Sequence, residues 1–571
     1  MPRSSLSAVK IKPEPSPAER VQPFNKPLSR WQLPASHSLR HEAHFESRVL
    51  RCFARRPLGL AAMLNRAAEY YPQVEALVDG QRRWTWQQLF ATCNQVAGGL
   101  QQLGVQQGDR VALLLGNQAE FVLALYAIAI MGGVAVPIST RDSAKGIEFA
   151  LNQCGACAAI AQADMLQRVP PQLANGAPIL QVICGSAPVD CAADKSVRWE
   201  QLLTKADASH AVHAVHASFN EESPAIILYT SGTTGQPKGA VITHFNLSHS
   251  ALHLQVTLNL QAGERAMLAV PGSHVTGLIA IVATMGAVAG CVVVLQEFKA
   301  AAFLHLAARE RMSYTLMVPA MYALCLREPT LASFDLSAWR LGGFGGSPMP
   351  VSTIAQLALH CPTVQLFNAY GATETTSPAT LSPLGSDSLD AVGVALPCAD
   401  IRIMDDDGLE VPIGQSGEVW IGGPMVVPYY WNNPQATAAS FCGGYWKSGD
   451  IGTLDASGFL RVHDRKKDMI NRGGYKVFSV EVENCLVAHP SVVEAAAVGM
   501  PCPVLGERVR VFVYLAEGSV GDEALAQVLK ALCRHDLADY KVPDVISFSL
   551  TPLPRNANGK LIKRALRERA L

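Results

Sequence analysis

Two long stretches without charged residues limit the fold of this 571-residue chain more than any other feature. One runs from Phe121 to Thr140 and the other from Ala266 to Gln296, and glycine and proline interrupt both. Each divides into an apolar segment, a glycine break and a second apolar run, which is typical of a buried helix followed by a buried parallel strand. A membrane span is the alternative that length alone would allow, but the interruptions argue against it. Because the stretches resemble each other, they predict two similar parallel-sheet layers.

The composition indicates a folded protein that does not bind nucleic acid over its whole surface. Hydrophobic residues make up 49% and charged residues 16%, which excludes a largely disordered chain. Lys+Arg and Asp+Glu both number 47, so the net charge is zero and no nucleic-acid partner is expected. The 14 cysteines form no disulfide or zinc pattern, and the first residues contain no apolar export signal. These features predict reduced thiols and a cytoplasmic location.

The pattern along the chain predicts several units. Residues 1–56 are rich in proline and serine and carry 11 Lys/Arg against 4 Asp/Glu, which favours a flexible basic tail. Residues 57–464 form a large domain: strands alternate with helices at first, and short glycine-rich strands at about 390–464 predict a small β-barrel-like part. Residues 465–571 are predicted to form a small α+β domain, with the boundary at 464–468. The expected fold class is therefore α/β, with two similar parallel-sheet subdomains.

The strongest chemical motif is a loop rich in hydroxyl groups and glycine that follows an apolar strand. It begins at Tyr229 and reads YTSGTTGQPKG. Its free main-chain N–H groups and hydroxyls are suited to wrapping a polyphosphate, and Lys238 adds a positive charge. The order of its glycines and lysine differs from that of a Walker A loop. Taken alone, the segment could also be an ordinary surface loop.

Several other polar segments stand along the chain. NAYGATET ends at Thr375 and contains Glu374, a hard oxygen ligand of the kind that Mg²⁺ prefers. WKSGD ends at Asp450, whose carboxylate can accept two hydrogen bonds from a diol. The segments GGSPM, PGSHVTGL, DRKKD, NRGGYKV and PRNANGK complete the set. Most of these motifs would be weak alone, but their combination is specific.

Across roughly residues 58–571, the chain resembles the adenylate-forming superfamily, which includes acyl- and aryl-CoA synthetases, peptide-synthetase adenylation domains and firefly luciferase. The resemblance implies a catalytic lysine at Lys560, an α-phosphate contact at Thr373, a magnesium ligand at Glu374 and an acyl-pocket gate at His274. It implies a hinge at Lys467. It also implies nucleotide and coenzyme A contacts at Thr230, Ser231, Gly232, Thr233, Thr234, Gly235, Lys238, Gly345, Gly346, Ser347, Tyr370, Asp450, Arg465, Gly473 and Gly474. Ser347 departs slightly from the family pattern, which usually has alanine there.

The resemblance further implies an ATP-dependent acid–thiol ligase with ATP, Mg²⁺ and coenzyme A as cofactors. A carboxylic acid would become an acyl-adenylate with release of pyrophosphate, and the acyl group would then move to coenzyme A. The small C-terminal domain is expected to be mobile, because rotation about Lys467 would bring Lys560 in for the first step and the Gly473–Gly474 face for the second.

The acyl substrate is less constrained. The uncharged stretch 266–296 argues against a second carboxylate on the acid, because a buried charge would be needed to hold it. The small residues Gly277, Ala280, Gly343 and Gly346 would leave room for a chain or a ring. A medium- or long-chain fatty acid is predicted, with an aryl acid as the alternative. A stand-alone enzyme that loads a carrier protein, a luciferase-like oxygenase, a non-catalytic nucleotide-binding scaffold and a homodimer stay open.

Overall fold

A computed structural model of the protein describes residues 31–185, 196–205, 220–230, 237–388, 390–555 and 561–569. The α-helices are α1 (Leu60–Tyr70), α2 (Trp86–Gln102), α3 (Ala119–Ile130), α4 (Ala144–Cys154), α5 (Trp199–Lys205), α6 (His244–Thr257), α7 (Thr284–Val288), α8 (Ala300–Arg309), α9 (Pro319–Leu326), α10 (Val351–His360), α11 (Pro434–Ser440), α12 (Ser479–Val487), α13 (Glu523–Asp536) and α14 (Lys563–Glu568).

The β-strands are β1 (Leu39–His44), β2 (Arg48–Phe53), β3 (Glu75–Asp79), β4 (Arg82–Thr85), β5 (Arg110–Leu114), β6 (Val134–Pro137), β7 (Ala158–Gln162), β8 (Leu180–Cys184), β9 (Ser196–Arg198), β10 (Pro224–Thr230), β11 (Lys238–Thr243), β12 (Arg265–Leu268), β13 (Cys291–Val294), β14 (Tyr314–Met317), β15 (Leu341–Phe344), β16 (Gln365–Ala372), β17 (Ser377–Leu381), β18 (Val394–Ala395), β19 (Asp400–Met404), β20 (Gly417–Gly422), β21 (Phe441–Cys442), β22 (Tyr445–Leu454), β23 (Leu460–Arg465), β24 (Ile470–Arg472), β25 (Tyr475–Val477), β26 (Val492–Cys502), β27 (Gly506–Leu515) and β28 (Val545–Ser549).

Two large sheets confirm the predicted parallel layers. In the seven-stranded sheet the order is β11-β10-β6-β5-β7-β8-β9, and only β11 pairs antiparallel with its neighbour. In the nine-stranded sheet the order is β18-β17-β16-β15-β14-β12-β13-β3-β4, and its strands from β16 to β3 are parallel. Antiparallel strands close both edges of this second sheet. The fold class is therefore α/β, as expected.

The two uncharged stretches form helices that meet in the core. The first supplies α3, which is buried along nearly its whole length, and then the buried strand β6. The second supplies a π-helical segment (Thr276–Ala283), α7 and β13. The hydroxyl of Tyr126 donates to the carbonyl of Val282 at 3.3 Å, so the helices of the two stretches touch. No helix in the described part of the chain combines the length and the apolar character needed to cross a bilayer.

The predicted β-barrel-like part is a five-stranded antiparallel sheet. Its order is β19-β20-β22-β21, and β23 pairs with the second half of β22. The C-terminal unit is a second five-stranded sheet, in which β26 and β27 form a long antiparallel pair and β28 runs parallel to β27. Val482 of α12 and Leu529 of α13 pack on this sheet in one apolar core.

The prediction of a flexible tail over residues 1–56 is wrong for its second half. Strands β1 and β2 form a six-pair antiparallel hairpin, from Leu39 opposite Phe53 to His44 opposite Arg48. Cys52 and Phe53 are fully buried, because β2 presents its apolar side chains to α6. The high charge that suggested a tail belongs partly to ion pairs, including Arg56 with Glu42 at 2.7 Å. Residues 1–30 lie outside the described residues.

Candidate active site

One strand of the nine-stranded sheet leads to the predicted nucleotide-binding residues. β16 carries Tyr370 and ends in a tight turn, Thr373–Thr375, which contains Glu374. Thr376 follows with a φ of 50°, and the chain then reverses into β17. This reversal places Thr373 and Glu374 beyond the carboxyl end of a parallel strand, the usual place for a ligand in an open α/β sheet.

Glu374 is buried, with 8% of its surface exposed, and a tyrosine holds its carboxylate. The hydroxyl of Tyr430 donates to Glu374 Oε1 at 2.8 Å. Lys238 Nζ lies 5.0 Å from the centre of the Tyr430 ring, within range of a cation–π contact. Burial raises the pKa of the Glu374 carboxyl, while the Tyr430 hydrogen bond and Lys238 act against that rise. A buried carboxylate of this kind is stabilised by any cation that binds beside it.

Asp450 forms the second polar cluster. Its Oδ1 accepts from Arg465 Nε at 2.7 Å, and its Oδ2 accepts from the Tyr370 hydroxyl at 2.6 Å. β22 and β23 place Asp450 directly opposite Arg465. Burial raises the pKa of the Tyr370 phenol, and the neighbouring Asp450 charge raises it further. The three side chains predicted for adenosine therefore lie together.

A cleft with a volume of about 560 Å³ opens beside these residues. Gly345, Gly346 and His274 line it, together with apolar side chains such as Val275, Leu316 and Met321. A Cβ at Gly345 would lie 2.4 Å from the carbonyl oxygen of Ala369, so only glycine fits there. Ser347 is exposed and does not line the cleft.

Most of the small residues that were expected to leave room for the acyl group do not face open space. Gly346 lines the cleft, whereas Gly277, Ala280 and Gly343 do not. A Cβ at Gly277 would lie 2.5 Å from the Pro271 carbonyl oxygen, and one at Gly343 would lie 2.5 Å from the Phe367 ring. These glycines permit close packing of the sheet and its loops, so that part of the sequence argument is wrong.

Two charged residues from outside the uncharged stretch 266–296 also line the cleft. Arg141 and Glu297 line it, and both are exposed, which places them at its mouth. Glu297 pairs with Lys299 at 3.0 Å. The inner wall is held by Asn117, whose side chain donates to the carbonyls of Leu268, Val270 and Leu295 and accepts from the N–H of Gly272.

The two ends of the predicted phosphate loop lie among the described residues. Thr230 ends β10 and Lys238 begins β11, and these strands pair antiparallel in register. Thr230 Oγ1 lies 3.5 Å from the carbonyl oxygen of Lys238. Ser231, Gly232, Thr233, Thr234 and Gly235 lie outside the described residues, as does Lys560 of the last motif.

The C-terminal residues predicted to contact coenzyme A lie apart from the cleft. Gly473 and Gly474 form the turn between β24 and β25 with φ angles of 60° and 90°, and neither lines the cleft. Lys467 lies between two anchored neighbours. Lys466 pairs with Glu418 of β20 at 3.2 Å, and Asp468 pairs with Arg567 of α14 at 2.6 Å. Burial lowers the pKa of Lys467.

Sequence reasoning missed two residues of this site. Tyr430 stands in a run of aromatic residues with no recognisable motif, and its importance depends on Glu374, which is 56 positions away. Asn117 is followed by an ordinary helix start, so its four contacts with distant main-chain atoms leave no mark in the local sequence. Tyr430 holds a predicted site residue in place, and Asn117 holds the wall of the cleft beside the predicted residues.

Family models, curated proteins and solved structures match most of this chain. The chain matches a family model described as AMP-binding enzyme over residues 64–431 and another described as AMP-binding enzyme C-terminal domain over residues 481–560. The long-chain-fatty-acid–CoA ligase FadD13 of Mycobacterium tuberculosis is 31% identical over 512 residues, which cover 89% of this chain and 97% of that protein. A feruloyl-CoA synthase from Amycolatopsis sp is 32% identical over 515 residues, which cover 90% and 99%.

A similar solved structure contains nucleotide and metal. The o-succinylbenzoate coenzyme A synthetase MenE from Bacillus subtilis was solved in complex with ATP and a magnesium ion. It aligns with a TM-score of 0.76 and 28% sequence identity, covering 90% of this chain and 99% of that chain.

Proposed function

We propose a reaction for this chain from one premise: it belongs to the adenylate-forming family of AMP-binding enzymes and is an acyl-CoA ligase. In the first step a carboxylate oxygen attacks the α-phosphorus of ATP, and the bond to pyrophosphate breaks. In the second step the coenzyme A sulfur attacks the acyl carbon, its proton is lost, and the carbon–oxygen bond to AMP breaks. The observation that carries the proposal is that one strand serves both polar clusters. β16 carries Tyr370, which contacts Asp450, and it runs directly into the turn that contains Glu374.

The described residues fit a magnesium ion. Glu374 offers a hard carboxylate oxygen in a buried place, where its raised pKa reflects a charge that lacks solvation. When bound, the metal neutralises phosphate charge. We assign the metal contact to Glu374, an α-phosphate hydrogen bond to the Thr373 hydroxyl and a phosphate contact to Lys238. Tyr430 orients the Glu374 carboxylate by its hydrogen bond.

The adenosine half of ATP is assigned to the second cluster. Asp450 would exchange its present partners for the two ribose hydroxyls, since its oxygens already accept from Arg465 and Tyr370. Release of the Tyr370 hydroxyl frees its ring to stack on adenine. Gly345 and Gly346 let the main chain approach the base closely, and Ser347 lies beside them at the surface.

The two half-reactions are assigned to two positions of the C-terminal domain. Lys560 would place its positive charge between the reacting carboxylate and the α-phosphate, where charge increases in the transition state. Rotation at Lys467 would then bring Gly473 and Gly474 to the cleft for coenzyme A. Lys466, just before Lys467, pairs with the large domain, whereas Asp468, just after it, pairs with α14. This change across Lys467 supports its position as the hinge.

The acid is proposed to be a medium- or long-chain fatty acid. The support is the largely apolar interior of the 560 Å³ cleft, with its charges confined to the mouth. An aryl acid is the second candidate, because a feruloyl-CoA synthase and an o-succinylbenzoate coenzyme A synthetase are among the similar proteins. His274 is assigned as the residue that gates the cleft. Transfer to a carrier protein, a homodimer and a cytoplasmic location stay predictions.

The function is tested by a panel of acids. Pyrophosphate release is measured with fatty acids of two to eighteen carbons and with substituted benzoates and cinnamates, each with and without coenzyme A. We expect release with one acid class and a thioester product only when coenzyme A is present. Transfer to a holo-carrier protein with none to coenzyme A would replace the proposed acceptor, and ATP binding without pyrophosphate release for any acid would contradict the reaction.

A second test addresses the two half-reactions. Lys560→Ala is expected to abolish adenylate formation and to leave thioester formation from supplied acyl-adenylate largely intact, because the lysine acts only in the first step. Stopped assays of pyrophosphate and thioester measure the steps separately. Equal loss of both steps would count against domain alternation.

A further inference from the structure

The N-terminal hairpin formed by β1 and β2 contacts the magnesium-ligand region, although it precedes both family-model matches. Polar side-chain contacts fix the hairpin and the segment just after it to the large domain. Arg56 contacts Glu221 at 2.6 Å, and His44 contacts Glu222 at 2.7 Å. These glutamates stand just before β10, the strand that enters the phosphate loop. The hairpin is thus held beside the nucleotide site.

Arg48 of this hairpin donates to main-chain carbonyls. Its Nη1 lies 3.4 Å from the oxygen of Val426, and its Nη2 lies 3.2 Å from the oxygen of Pro428. No carboxylate in the described part of the chain lies within ion-pair distance of Arg48. Burial lowers the pKa of Arg48. A half-buried guanidinium whose partners are two carbonyls of one loop fixes the position of that loop.

The loop held by Arg48 is the one that holds Glu374. The peptide group between Val426 and Val427 has its oxygen facing Arg48 and Asn246 Nδ2, the latter at 3.2 Å. Its N–H donates to the main-chain oxygen of Glu374 at 2.9 Å. Because a peptide group is planar, contacts on its oxygen fix the direction of its N–H. Further along, Tyr430 holds the Glu374 carboxylate. One short loop therefore contacts both the main chain and the side chain of Glu374.

We propose that Arg48 is a positioning residue for the magnesium ligand Glu374, which makes the N-terminal hairpin part of the support of the nucleotide site. This inference rests on the proposed function for the identity of the metal–nucleotide ligand. Residues that orient a metal ligand without touching the metal commonly affect metal affinity or activity by about 10–100-fold. Arg48 acts through a loop, so the lower end of that range is expected.

The test compares Arg48→Met with the wild-type protein and with Arg40→Gln. Methionine keeps an apolar stem but removes both donors. Arg40 is the matched control, because it lies on β1, is 63% exposed and, among the described residues, pairs within the hairpin with Glu42. Mn²⁺ affinity in the presence of a nonhydrolysable ATP analogue is measured by electron paramagnetic resonance. We expect about 10-fold weaker Mn²⁺ binding for Arg48→Met, no change for Arg40→Gln, and partial recovery for Arg48→Lys.

Two further measurements distinguish a positioning role from a general loss of folded structure. The Mg²⁺ concentration for half-maximal pyrophosphate release should rise for Arg48→Met, whereas thioester formation from supplied acyl-adenylate should stay at the wild-type rate. Unchanged Mn²⁺ affinity, or equal loss of both half-reactions, would overturn the inference. A wild-type protein that binds the metal–nucleotide analogue but releases no pyrophosphate with any acid would overturn the proposed function alone, since the binding comparison still tests Arg48.

Discussion

The cluster proposed to bind the nucleotide (Lys238, Tyr370, Glu374, Tyr430, Asp450 and Arg465) and the adjoining cleft proposed to bind the acyl group are built in different ways. They are called the nucleotide cluster and the cleft below. In the cluster, side chains hold side chains through charged or charge-assisted contacts, as Arg465 and Tyr370 hold Asp450. In the cleft, main-chain contacts dominate, as Asn117 binds three carbonyls and one N–H. The ligands explain the contrast. A nucleotide presents fixed charges and hydroxyls, whereas an acyl group is recognised mainly by the shape of an apolar space.

This difference implies that substitutions in the two regions affect different kinetic constants. Changes of charge in the nucleotide cluster should reduce the rate of adenylate formation, because they act where charge develops. Changes of volume in the cleft should alter the apparent affinity for the acid and leave the nucleotide largely unaffected. Changes in the surrounding helices and strands, called the frame below, should instead alter the free energy of unfolding.

The largest effect is expected from Glu374→Gln. It keeps an acceptor for the Tyr430 hydroxyl but removes the negative charge, so pyrophosphate release should fall by about 100-fold or more. Tyr430→Phe is the matched control: it leaves the carboxylate and removes one hydrogen bond to a charged group, worth about 1.5 kcal/mol, and should cost about 10-fold. Steady-state pyrophosphate release measures both. If Tyr430→Phe were as severe as Glu374→Gln, the charge of Glu374 would not be the decisive property.

An intermediate effect is expected from Gly272→Ala in the cleft. A Cβ there would lie 2.7 Å from Cε1 of the buried Phe121 ring, so the ring or the loop must move. Overpacking of this kind costs about 1–3 kcal/mol. A loss of about 1.4 kcal/mol in acid binding corresponds to a rise of about 10-fold in KM for the acid, with KM for ATP unchanged. The additional change Phe121→Leu should restore part of the loss. An equal rise in both KM values would remove the distinction between the two regions.

The smallest effect concerns the frame and depends on pH. His249 Nε2 accepts from the N–H of Phe53 at 3.3 Å, and His253 Nε2 accepts from the N–H of Cys398 at 3.2 Å. Both rings lie fully buried on α6, and burial lowers the pKa of His253 to about 3 and that of His249 well below its usual value. The unfolded chain, in contrast, binds these protons near pH 6.5.

Because the folded pKa values are depressed, the stability that these histidines contribute is complete above about pH 6.5 and is lost as the pH falls toward 3. Each should reduce the free energy of unfolding by about 1.4 kcal/mol per pH unit below 6.5. Denaturant unfolding at pH 7.5, 6.5 and 5.5 measures the slope. His253→Gln, which keeps an acceptor without titrating, should reduce the slope, and His305→Gln on the exposed face of α8 should not. Identical slopes for all three proteins would contradict this account.

The elements and motifs that could be predicted were those whose information is local. Apolar runs with glycine breaks indicated α3, β6 and β13, because burial on both faces leaves a continuous apolar pattern. The nucleotide motifs indicated Tyr370, Glu374 and Asp450, and the structure brings these into contact or onto one strand. The hairpin at residues 39–53 was missed because its strands are highly charged. Charge in a short segment resembles a solvated tail when a polar partner lies far along the chain, as Glu222 does for His44.

The chain's own residues specify that a strand ends at a carboxylate, that a loop is rich in hydroxyls, and that a stretch must be buried. They do not specify that Arg48 reaches Pro428, that Tyr430 reaches Glu374, or that Gly343 packs against the Phe367 ring while Gly346 faces the cleft. Backbone preference and hydrophobic periodicity act over a few residues, whereas these contacts join positions separated by tens to hundreds of residues. Such pairs come within bonding distance only after the sheets have packed, and the support of the site is made of them.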